Sequence, residues 1–106
     1  MSKRVIWKFP FEVADFVKIE MPLGACILHV GTQPSMSSEG GEQACLWAIV
    51  DPDARVEDFS FRIFGTGQPM PDVAQPPYPL PQNMVIIGTF QMNRGGETWH
   101  MFQVVW

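Results

Sequence analysis

Two short segments restrict the fold more than anything else in the chain: FVKIEM (Phe16 to Met21) and DFSFRIF (Asp58 to Phe64). In the first, Val17, Ile19 and Met21 alternate with Lys18 and Glu20. In the second, Phe59, Phe61 and Ile63 alternate with Ser60 and Arg62. A side-chain repeat of about two residues belongs to a strand with one buried face, not to a helix. Further runs rich in β-branched and aromatic residues are VIWKF (5–9), ACILHVGTQ (25–33), QACLWAIV (43–50), MVIIGTFQM (84–92) and TWHMFQVV (98–105). QACLWAIV is almost continuously apolar, which predicts a central strand covered on both faces. VIWKF is expected to stop at Pro10, and PFEVADF (10–16) leaves room for a single helical turn. The expected fold is all-β: one domain over residues 1–106, a small antiparallel barrel or sandwich of about seven strands.

The connections support this reading. PSMSSEGGE (34–42) has no apolar pattern and reads as a hairpin loop. Asp51-Pro52-Asp53 has the residues of a tight turn, and Asn93-Arg94-Gly95-Gly96-Glu97 those of a hairpin. Between Pro69 and Pro81 lie six prolines. They remove too many donors for a helix or a sheet interior and predict an extended, polyproline-like loop.

Composition removes several functions. Seven Lys and Arg against eleven Asp and Glu give a net charge of -4, so no positive field exists to neutralise a nucleic acid polymer. Lys3, Arg4 and Lys8 read as a solvated terminus. No run approaches the roughly 18 apolar residues of a membrane helix, and MSKRVIWKFPF lacks the layout of a secretory signal. A protein that stays inside the cell is expected. Cys26 and Cys45 lie in apolar runs, as buried free thiols do in reducing compartments.

The motif that invites a binding function is FGTGQPMP (Phe64 to Pro71). A phosphate-binding P-loop needs a Lys and a following helix, and a dinucleotide fingerprint needs a third glycine. Neither pattern is present, so no cofactor is expected. Gly65-Thr66-Gly67-Gln68 is then a strand-ending turn, or a nest of amides facing an anion. A partial echo in Gly88-Thr89-x-Gln91 leaves two readings of the Gly-Thr strands: adjacent strands that line up to leave a dent, or a bulge or bend that curls a small barrel.

Metal binding by Cys26, His29 and Cys45 is disfavoured because positions i and i+3 of a regular strand face opposite ways. Asp51 and Asp53 lack the continuation of a calcium loop. Ser35, Ser37 and Ser38 have no nucleophile elbow, and the cysteines sit where a thiol would be deactivated, so no catalytic residue is expected. Arg62 offers a planar fork for a carboxylate or phosphate, and His100 a ligand contact, or an acid or base only if a carboxylate lies beside it in a cleft. Trp7, Trp47, Trp99 and Trp106 exceed the needs of a core this small, which predicts a covered apolar surface and a homo-oligomer.

The ordered blocks IWKFPF, IEMPLGACILHV, QACLWAIVDPDA, FRIFGTGQPMPD, IGTFQM and WHMFQV span most of the chain. They resemble a family of small proteins encoded in bacteriophage and prophage genomes. The chain departs from it in the proline-rich stretch after Asp72, where a short connection is expected. The resemblance implies a phage origin and action in the host cytoplasm, and it brings no catalytic or binding residues with it. The functional expectation is a non-catalytic protein that sequesters a small anionic, nucleotide-like ligand through Arg62, Gly65, Thr66, Gly67, Gln68, Thr89, His100 and Trp47. The alternative is an interaction module that masks a host protein.

Overall fold

The computed structural model describes residues 3–37, 40–70 and 83–105. It contains seven strands: β1 (Val5–Phe11), β2 (Phe16–Pro22), β3 (Cys26–Pro34), β4 (Glu42–Val50), β5 (Val56–Gly65), β6 (Met84–Met92) and β7 (Glu97–Val104). They form two antiparallel sheets, one of three strands in the order β1-β4-β3 and one of four in the order β2-β5-β7-β6. The sheets do not close on each other, so the fold is sandwich-like and not a barrel. Among the described residues no helix is long and apolar enough to cross a membrane.

The alternating segments behave as their spacing requires. Val17, Ile19, Met21, Phe61 and Ile63 are buried in the layer between the sheets, where they meet Phe11, Val30, Leu46, Phe90 and Met101. β4 is the central strand of its sheet, and its inward residues Ala44, Leu46, Ala48 and Val50 are fully buried. Among the described residues no second layer covers its other face, unlike the expectation of cover on both; Trp47 and Ile49 there are half-buried and Cys45 is buried.

Two expectations about the chain's start are corrected. β1 runs through Pro10 to Phe11, and residues 12–15 form no helical turn. The reason is position: β1 pairs only with β4, so the missing N–H of Pro10 is tolerated if its nitrogen faces away from that partner. The proline-rich loop expected at 69–81 falls outside the described residues from 71 onward, as does Trp106.

Two bulges shape the sandwich. Register shifts between Ile27 and His29 in β3, and between Ile86 and Gly88 in β6, insert one residue each. The two Gly-Thr segments do not adjoin, since β7 lies between β5 and β6, and a bulge accompanies only the one at Gly88. A Cβ at Gly88 would stand 3.0 Å from Cγ1 of Val30, so the glycine permits the close approach of β6 to β3. Along this side the sheets are also tied by hydrogen bonds. The Thr32 hydroxyl donates to the Gln91 carbonyl at 2.5 Å, and the Arg94 amide donates to Oε1 of Glu42 at 2.8 Å. On the opposite side the free edges of β1 and β2 border an open cleft of about 540 Å³, walled by Phe9, Phe11, Phe16, Val17 and Ile19.

Candidate functional site

The outward side of the four-stranded sheet gathers most of the residues singled out from sequence. Because Ile63 and Met101 point into the core, their neighbours Arg62, Phe64, His100 and Phe102 point outward, in register across β5 and β7. Phe64, Phe102 and Met84 form a second, smaller buried cluster on this side, with the two rings edge to face at 5.8 Å.

Arg62 lies at the centre of this face. It is directly opposite Phe16 in the β2–β5 ladder, and its guanidinium carbon is 4.5 Å from the Phe16 ring centre and 4.8 Å from that of Phe64. Its Nε is shut off from solvent and has no hydrogen-bond partner. Among the described residues the single ion pair is Arg55 with Glu57 at 3.0 Å, so no described carboxylate neutralises Arg62. A cation held between aromatic rings without a counter-charge is poised to accept an anion through its terminal nitrogens.

His100 sits one row away, opposite Phe64 on one side and Thr89 on the other. Both ring nitrogens are engaged: Nε2 with the Thr66 hydroxyl at 2.7 Å and Nδ1 with the Thr89 hydroxyl at 3.0 Å. The two hydroxyls fix the ring plane, and no described carboxylate bonds to it. The Gly-Thr echo between β5 and β6 is thus a clamp on one histidine, a function that spacing alone did not reveal.

FGTGQ is a turn. The Gln68 amide donates to the Gly65 carbonyl at 3.0 Å, and Gly67, with φ +89°, occupies the position where a type II turn requires positive φ. The Gly65 amide donates to Gln68 Oε1 at 3.0 Å, and the Thr66 amide to the Thr98 carbonyl at 3.2 Å. Three of the four amides of a supposed nest are therefore spent, so the loop does not cradle an anion. Gly65 is small for a packing reason as well: a Cβ there would stand 3.3 Å from the Trp99 ring.

Trp47 is not brought to this face. It lies on the outward side of the three-stranded sheet, with its ring centre 5.8 Å from that of His29. Cys26 and His29 do not face opposite ways, as they would on a regular strand. The extra residue at Leu28 restores both to one face, opposite Ile49 and Trp47, which are two apart on β4. Even so, no group of three or more metal-ligating side chains occurs among the described residues. Cys26 is exposed and Cys45 buried, and both are free thiols. Burial pushes the Cys45 thiol above its ordinary pKa, and Lys8 partly opposes this.

Comparison with known proteins assigns the fold to a family without assigning it a task. The chain belongs to the family described as Domain of unknown function (DUF7352), whose family model matches residues 2–105. No curated protein and no solved structure matches it.

Proposed function

We propose that this family member is a non-catalytic binding protein that sequesters a small anionic, nucleotide-like ligand as a homo-oligomer. The observation that carries the reading is Arg62: half-buried, held against two aromatic rings, its Nε desolvated, and without a described carboxylate. The terminal nitrogens take the phosphate or carboxylate of the ligand. Phe16, which also walls the cleft between β1 and β2, offers a ring to its planar part. The cleft itself, whose walls include Glu12, Lys18 and Glu20 and not Arg62, borders this site and is not the seat of the anion. His100, locked by Thr66 and Thr89, acts as a fixed wall and not as a base. The resemblance to phage-encoded proteins gives the setting: removal of a host defence signal in the host cytoplasm.

The test is calorimetric titration of the full chain with nucleoside monophosphates and with cyclic mono- and dinucleotides. One class should bind, and Arg62→Ala should weaken it by roughly ten- to a hundredfold, the range expected for a charge-assisted pair. Equal affinity in the variant would remove Arg62 from the reading. A second reading, a module that masks a host protein, draws on the exposed apolar residues Phe16 and Ile86, each 64% accessible. One host protein captured equally well after Arg62→Ala and His100→Ala would favour that reading.

A further inference from the structure

Among the described residues, β1 is the edge strand that joins a bulge-free run to an exposed apolar half; Lys8 and Pro10 blunt its second half only. The β3 and β6 edges carry the bulges at Leu28 and Ile87 and meet each other across the sandwich. The β2 edge is interrupted by the charged pair Lys18 and Glu20 and ends at Pro22. β1 has no bulge, and its first half, Val5-Ile6-Trp7, is apolar and open to solvent, with Ile6 61% and Trp7 41% exposed. Natural sheets blunt such edges or pair them.

We propose that β1 pairs with β1 of a second copy, antiparallel about a two-fold axis at Trp7, to join the two three-stranded sheets into one of six. The register follows in three steps. First, we place the missing donor of Pro10 on the side away from β4, where no ladder bond is lost; Ile6 and Lys8, at the same phase, then direct their amides and carbonyls outward. Second, an axis at Trp7 sets Ile6 against Lys8 of the other copy, so outward-facing residues meet and exchange hydrogen bonds. Third, this axis keeps like charges apart. An axis at Ile6 would oppose Lys8 to Arg4, and one at Lys8 would oppose the two lysines, arrangements that destabilise a ladder. At Trp7 the two indoles face each other at a non-hydrogen-bonded position, and Val5 lies against Phe9. The apolar surface left open on one copy is thereby covered by the other.

This interface rests on the homo-oligomer of the proposed function and shares Phe9 and Pro10 with the cleft, but not on Arg62, so its test uses ligand-free protein and can fail separately from anion binding. Sedimentation velocity of the full chain over a range of concentrations should show a monomer–dimer equilibrium. Trp7→Lys, which sets like charges on the axis, should raise the dissociation constant about tenfold or more while leaving the melting temperature at low concentration nearly unchanged. Register is read by cross-linking in a Cys26→Ser background: on mild oxidation Trp7→Cys should form a covalent dimer readily and Val5→Cys should not. A protein that stays monomeric at all concentrations overturns the proposal. So does a dimer indifferent to Trp7→Lys, or one that cross-links better through Val5→Cys.

Discussion

Arg62 stands directly across from Phe16 in the β2–β5 ladder, and its guanidinium carbon lies 4.5 Å from the centre of that ring. Phe16 is 64% exposed, so its ring adds little to the core; it orients the cation. Phe16→Ala is therefore expected to change stability by under about 1 kcal/mol, the scale of an exposed cation–π contact. Anion affinity should fall several-fold, because the fork loses one of its two aromatic supports. Arg62→Lys keeps the charge and loses the planar fork, so it should recover only part of what Arg62→Ala removes. Calorimetry on the three variants checks the order.

The hydroxyl clamp on His100 makes a prediction about coupling. Thr66 comes from the turn after β5 and Thr89 from β6, and the histidine between them on β7 joins the two. Thr66→Val and Thr89→Val should each cost about 1 kcal/mol, the net value of an ordinary hydrogen bond. Once one hydroxyl is gone the ring is free to turn, so the double variant should cost less than the sum of the singles. Denaturant unfolding of the four proteins in this cycle measures it, and simple additivity would show that the two bonds act independently.

Gly88 and Val30 give the clearest packing test. Val30 is fully buried, and its Cγ1 would lie 3.0 Å from a Cβ at position 88. That contact is tighter than ordinary packing and Val30 is buried with a stiff, branched side chain, so little room is left to give way and Gly88→Ala should destabilise by about 1 to 3 kcal/mol. Val30→Ala removes the obstructing methyl groups. In that background Gly88→Ala should cost much less than it does alone, as thermal melts of the pair will show. Undiminished cost in both backgrounds would place the strain elsewhere.

Strand positions were legible because the buried face imposes its own period. Val17, Ile19 and Met21, and likewise Phe61 and Ile63, are found where alternation put them, and β6 matches its expected limits, Met84 to Met92. Side-chain direction failed where the period is broken. One extra residue at Leu28 put Cys26 and His29 on the same face, although spacing on a regular strand separates them. Trp47 was grouped with Arg62 although β4 and β5 belong to different sheets, because strand order depends on contacts distant in sequence. The Thr66–His100–Thr89 clamp was hidden for the same reason: it needs the β5–β7 and β6–β7 registers together. Pro10 misled in another way. Proline stops a strand only where a partner needs its N–H, and sequence does not say which strands are edges.

The two thiols should respond differently to the same reagent. Cys26 is exposed, whereas Cys45 is buried on the wall of a pocket it shares with Lys8 and Gln33, with its Sγ 3.7 Å from the Gln43 carbonyl. Burial raises the Cys45 pKa, so the thiolate that attacks an alkylating reagent is scarce as well as shielded. Under native conditions near pH 8, mass spectrometry should find Cys26 modified first and Cys45 only after denaturant is added. The same shift makes a statement about stability. A thiol whose folded pKa is raised contributes fully below its unfolded value, about 8.5, and loses that contribution as pH rises through the folded value. Unfolding free energy should therefore decline on the alkaline side, and Cys45→Ala, though less stable at neutral pH, should decline less steeply. Parallel pH profiles for the two proteins would mean that Cys45 titrates alike in the folded and unfolded chains.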